Sequence, residues 1–148
     1  MKGLFRHTRK ITLGLVLWGL FCAWANAAQT RPSFTDSLRQ VVAVGKRDTN
    51  TVNAAKSLAF RLKYEDVDAA IAYGKQSLAL AQELDFKRGI ASAFLTLGQC
   101  YLATGEFDKS LELFRLGGIE GHKAGIKKSV FLAYMNSGVA YDLKGDYL

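Results

Sequence analysis

Two aspartates, Asp66 and Asp68, are the nearest this chain comes to the paired carboxylates of general acid–base catalysis. They stand at the start of a helical pattern, where the peptide dipoles favour negative charge, and that position accounts for them without chemistry. Glu120-Gly121-His122 joins an acid to an imidazole. His122 is the one histidine beyond the N-terminal stretch, however, and the triplet lacks metal-ligand spacing, so it reads as an exposed residue near a helix end. Cys100 lies among Leu97, Gly98 and Tyr101 on an apolar helical face and reads as a small buried hydrophobe. Lys123, Lys127 and Lys128 cluster at a predicted helix junction and read as a solvated turn, not a phosphate site. No Gly-rich phosphate loop or nucleophile elbow is present. The expectation is a chain with no catalytic residues, no metal site and no cofactor.

The first residues carry an address. Lys2, Arg6, Arg9 and Lys10 precede the nearly uncharged run from Ile11 to Ala25, which has the length of a secretory core and is short for a membrane span. Ala25-Asn26-Ala27 supplies the small-x-small pattern of a cleavage site, placing a signal peptide over 1–27 and cleavage after Ala27. An uncleaved leader would be the chain's only membrane contact. Phe21, bulky and directly before Cys22, argues against lipidation. Either form predicts an exported, periplasmic or extracytoplasmic protein. Removing the leader takes away four of 20 basic residues and none of 13 acidic ones, so the formal charge falls from +7 to +3. That weakens any argument for nucleic acid as a partner. With Cys22 gone, Cys100 has no partner for an intramolecular disulfide.

The remaining chain of about 120 residues is one domain by length, and its periodicity is helical throughout. Ser33-Phe34-Thr35-Asp36 resembles a capping box, and Gly45 can close a short helix over 34–44, inside an N-terminal segment of 28–48. Further helices are predicted from Asp48 or Thr49 to about Tyr64, over about 67–84 and 87–104, from about Glu106, and over 127–144. Alternating strand patterns and hairpin dipeptides are absent.

The last four of these helices repeat. Sliding the chain by 40 residues lays Asp68 on Asp108, Lys87 on Lys127, Ala93 on Ala133, Gly98 on Gly138, Tyr101 on Tyr141 and Gly105 on Gly145. A fixed period of this size is the mark of stacked supersecondary units. Gly98 and Gly138 fall mid-helix, where each costs about 1 kcal/mol relative to Ala. They predict that a neighbouring helix approaches closely, with Ala70 and Ser110 small for the same reason and Tyr101 and Tyr141 filling the space one turn on.

Phe94-x-x-Leu97-Gly98-x-x-Tyr101-x-x-x-Gly105-x-Phe107-x-x-Ser110-x-x-x-Phe114 resembles a tetratricopeptide repeat, and Tyr134-x-x-Ser137-Gly138-x-x-Tyr141-x-x-x-Gly145-x-Tyr147 resembles the first half of another. The resemblance implies an all-α fold, a right-handed α-solenoid of antiparallel helix pairs. About two and a half repeats would occupy 49–148, truncated at the C-terminus. The sequence departs from the family at Ser137, where Leu is usual, and at Gly117-Gly118, where Ala is usual. It also lacks the closing Pro, and its period is 40, not 34. In the earliest repeat Leu58 and Arg61 take the Gly and Tyr places. A leader followed by repeats of this length is similar to the N-terminal sensor region of bacterial histidine kinases, with related regions preceding cyclases.

The resemblance implies a non-catalytic module that binds a protein or peptide along the first helix of each repeat. The groove residues would be Ser92, Leu95, Thr96, Gln99 and Leu102 on one helix, and Leu132, Met135, Asn136, Val139 and Asp142 on the next. Asn136 resembles the Asn that related repeats use to hold a peptide backbone, since an amide donates and accepts at once. Gln99 could serve likewise. Two alternatives accompany this expectation. One is the sensor portion of a signalling enzyme, a histidine kinase or cyclase. The other is a structural adaptor that self-associates through its uncapped last helix.

Overall fold

A computed structural model describes residues 32–145; the leader, its cleavage site and the last three residues lie outside that range. Six helices follow in order: α1 (Phe34–Val44), α2 (Thr49–Leu62), α3 (Val67–Glu83), α4 (Lys87–Ala103), α5 (Phe107–Lys123) and α6 (Lys127–Lys144). The described residues contain no strand.

Local chemistry sets the ends. The Asp48 carboxylate accepts the Thr51 N–H at 2.8 Å and opens α2, and Asp66 accepts from the Ala69 N–H at 3.0 Å and opens α3. Asp66 is thus spent on a cap, as its place at a helix start predicts. Three turns share one conformation at the 40-residue spacing: Gly45 (φ 68°), Asp85 (φ 48°) and Gly125 (φ 68°). Aspartate tolerates the left-handed region better than most side chains, so Asp85 can stand where its counterparts are glycine. The turn therefore fixes the register. The short α1 ends as α3 and α5 do, and it corresponds to them.

Each helix packs on the next, and α4 also touches both α2 and α6. Among the described helices α3 and α5 do not touch. The even-numbered helices thus form a continuous layer and the odd-numbered ones stand apart on the other side. Stacking that is tight on one side and open on the other is the geometry of a helical solenoid.

Small residues set the spacing between the layers. A Cβ on Gly98 would lie 2.5 Å from the ring of Phe114, which is fully buried. The Ser110 hydroxyl, buried beside it, donates to the Gly98 carbonyl at 2.9 Å. Ser77 does the same on α3, donating to the Val52 carbonyl at 2.9 Å. The close approach expected at Gly98 is therefore made by Phe114 and Ser110. At Gly138 no other described element comes within 4 Å of the corresponding position.

The departures from the repeat pattern have steric causes. Gly117 is pressed against Leu95 and the Ala91 carbonyl, where a Cβ would come within 2.8 Å of Leu95 and 3.1 Å of the oxygen; Gly118 faces Ala133. Gly74 admits Leu97, whereas at the same register α5 carries Phe114 and α6 the smaller Ser137. Leu58, standing in a glycine place, is fully buried and packs with Val42, Ala54 and Ala55, and with Leu38 of α1 and Tyr73 of α3.

Candidate functional site

In the even-numbered layer three of the described helices lie side by side, and the 40-residue register aligns their residues into columns. One column is Lys56, Thr96 and Asn136; another is Ala59, Gln99 and Val139. Of the ten residues expected to face a partner, Ser92, Gln99 and Asn136 are half-buried and Met135, Val139 and Asp142 are exposed. Leu102 and Leu132 are half-buried against the core cluster of Leu95, Phe114, Ala133 and Ala140.

The other two of the ten are buried. Leu95 is 5% exposed and lodges on Gly117, in the contact between α4 and α5. Thr96 is 7% exposed, and its hydroxyl donates to the Ser92 carbonyl of its own helix at 2.9 Å. Ser92 likewise donates to the Gly89 carbonyl at 3.1 Å, which leaves its oxygen free to accept. The physical reason for the burial of Leu95 is local. Gly117-Gly118 lets α5 come in further than a side chain there would allow.

Lys56 was not among the expected residues. It is half-buried on α2 in register with Asn136, donates to the Asn53 side chain at 3.3 Å, and burial pulls its ammonium below the ordinary lysine range. Carrying the 40-residue slide one repeat further back would have found it. The weak match around Leu58 and Arg61 hid it.

A cleft lies elsewhere. About 890 Å³ opens between α5 and α6, lined by Leu111, Phe114, Arg115, Tyr134, Ser137 and Tyr141 among others, and by none of the ten expected residues. His122 stands exposed at its end, and the nearby Lys123 pairs with Glu120 at 2.8 Å. Cys100 is fully buried against the Ala59 carbonyl, and burial pushes its thiol up to about 11. A thiol held so is protonated and poorly nucleophilic at neutral pH. It fills space between α2 and α4.

The columns of half-buried polar side chains on stacked helices, the Gly98–Phe114 contact and the recurrent turns together describe a repeat unit. Residues 59–116 match the tetratricopeptide repeat family. That segment begins within α2 and ends within α5, so it covers the best-matched copy of the repeat and its neighbour. Tetratricopeptide repeats generally mediate protein–protein interaction, and the match supports such a role here. No curated protein and no solved structure matches the chain.

Proposed function

We propose that this chain is an exported module that binds a peptide segment of a protein partner along the even-numbered helices and has no catalysis of its own. The observation that carries the reading is the unbroken layer of α2, α4 and α6, with Lys56, Gln99 and Asn136 half-buried in it. A half-buried amide holds a peptide unit well, because its N–H and C=O groups can answer the carbonyl and N–H of an extended backbone together. Lys56 adds a positive charge at the α2 end, which favours a peptide with an acidic residue or free carboxylate there. Ser92 supplies an acceptor and Val139 an apolar contact between the amides. Export is supported by the basic start, apolar run and Ala25-Asn26-Ala27 of the leader.

Selection of peptides from a displayed random library against the chain tests the binding reading. Peptides that bind the wild type and lose at least tenfold in affinity with Asn136→Ala and Gln99→Ala are the expected result. Peptides whose affinity ignores both changes would refute it. Mass spectrometry of the chain from its host tests export, with a first residue of Ala28 expected and a retained leader in the cytoplasm opposing it.

A further inference from the structure

The two edges of the array, where its helices begin and end, carry opposite charge, and we infer that the basic edge seats on the surface of an anionic lipid bilayer. Antiparallel helices bring every second turn to the same side, so the turns after α1, α3 and α5 share one edge. They carry Lys46 and Arg47, then Lys87 and Arg88, then Lys123, Lys127 and Lys128, all exposed. Arg47, Lys87 and Lys127 stand one repeat apart, as do Arg88 and Lys128, so the 40-residue period lays the cations out in a row. Four acids share the edge with these seven cations: Asp48, Glu83, Asp85 and Glu120.

The acids are occupied locally. Arg47 pairs with Glu83, Lys87 with Asp85, and Lys123 with Glu120. Asp85, and more weakly Glu120 from the neighbouring turn, holds the Lys87 ammonium above the ordinary lysine range. No carboxylate of the described residues lies within salt-bridge distance of Lys46, Arg88, Lys127 or Lys128. Packed helices lie about 8–10 Å apart. That is close to the Debye length at physiological salt, so the surplus cations of successive turns act as one patch. The other edge reverses the balance: among the described residues it holds seven acids, Asp66, Asp68, Glu106 and Asp108 included, against four cations. The chain enters α1 and leaves α6 at that acidic edge. A helix stacked on α1 or α6 covers a helix face and leaves the basic turns open.

The mixture of charges favours a fluid surface over a fixed one. Duplex DNA carries a phosphate about every 1.7 Å of its axis, locked in place, and would hold some of them against Asp48, Glu83, Asp85 and Glu120. In a bilayer, anionic headgroups can gather under the cations and leave the acids to neutral neighbours. Val44, exposed, and Phe86 and Ile126, half-buried, stand among the cations. They are too few to insert deeply, so the contact stays at the headgroups and is reversible. Docked this way, the acidic edge points away from the bilayer and the layer of α2, α4 and α6 opens sideways. The inference does not rest on the peptide-binding reading.

Co-sedimentation of the full chain with vesicles tests it. Vesicles of equal parts phosphatidylglycerol and phosphatidylcholine should take up the wild type, less so as salt is raised. Each cation near such a surface multiplies partitioning about fivefold, so Arg88→Gln, Lys127→Gln and Lys128→Gln together should weaken uptake about tenfold or more. Arg39→Gln, Lys75→Gln and Arg115→Gln remove the same charge from exposed sites away from this edge and should leave uptake close to the wild type. The leader is common to all three chains, so only the difference between variants is read, with circular dichroism checking that helicity is unchanged. An edge variant taken up as well as the wild type would overturn the inference. So would a control variant that loses as much, or an edge-dependent loss that is equal on phosphatidylcholine alone. Duplex DNA bound with that edge dependence, where the vesicles show none, would assign the edge to nucleic acid and overturn it as well.

Discussion

Placing the same methyl group at two positions one repeat apart gives opposite effects in this fold. Gly98→Ala puts a Cβ 2.5 and 2.6 Å from two atoms of the Phe114 ring, well inside contact distance. That ring is fully buried, so it cannot swing aside without opening the contact between α4 and α5. Overpacking of this kind costs about 1–3 kcal/mol. Against it stands the helix-propensity gain of about 1 kcal/mol from replacing an interior glycine with alanine. The net is a loss of about 1 kcal/mol. At Gly138 only the gain applies, because no other described element comes within 4 Å of the new Cβ. The two variants should therefore differ by about 2 kcal/mol, or about 8 °C in melting temperature for a domain of this size. Thermal denaturation followed by far-ultraviolet circular dichroism reads this directly. Gly98→Ala should melt below the wild type and Gly138→Ala at or above it. A Gly98→Ala chain that melts as high as Gly138→Ala would refute the assignment of Phe114 to that notch.

Other outcomes follow from the same contacts. Ser110→Ala removes a buried hydrogen bond to the Gly98 carbonyl and should cost about 1 kcal/mol, measured by urea titration; no change would mean the hydroxyl is not needed there. The Cys100 thiol is raised from its ordinary value of 9.0 to about 11 in the fold. The unfolded thiol therefore ionises first on raising pH, and the stability that burial of the neutral thiol represents is present below pH 9 and lost as pH rises towards 11. Stability curves over that range should fall more steeply for the wild type than for Cys100→Ala, and parallel curves would contradict the burial. Thiol reagents at neutral pH should label Cys100 only as fast as the chain unfolds. Lys56 pays a desolvation penalty for its half-buried place, so Lys56→Met should raise the melting temperature while weakening selected acidic peptides; a variant that binds them as well as the wild type would remove Lys56 from the surface.

The helices were legible because their ends are written in local chemistry. Asp48 and Asp66 cap, Gly45, Gly105 and Gly145 take positive φ, and the expected spans differ from the observed ones by at most a residue or two. The 40-residue slide also anticipated the close approach at Gly98. What the sequence did not disclose was which neighbour covers a residue lying between two faces. Leu95 sits at such a border, and its burial is decided 22 residues away by Gly117, which looked like a departure from the repeat and is in fact the receptor for that side chain. Ser137 is another case, since it lines the α5–α6 cleft with Phe114, where the preceding pair at the same register is Leu97 and Gly74. Lys56 was hidden because its repeat matches the pattern least. Side-chain periodicity finds the faces of a helix, but the partner of each face depends on volumes brought together from distant parts of the chain.

The central claim is that a partner peptide lies on the even-numbered helices. Nitrogen–proton correlation spectra of the chain titrated with a selected peptide test it most directly, through the side-chain amides of Gln99 and Asn136. Those two pairs of signals should shift together and saturably, while amides on the outer faces of α3 and α5 stay in place. Shifts confined to α3, α5 or the α5–α6 cleft, with both amides unmoved by a peptide that binds, would contradict it.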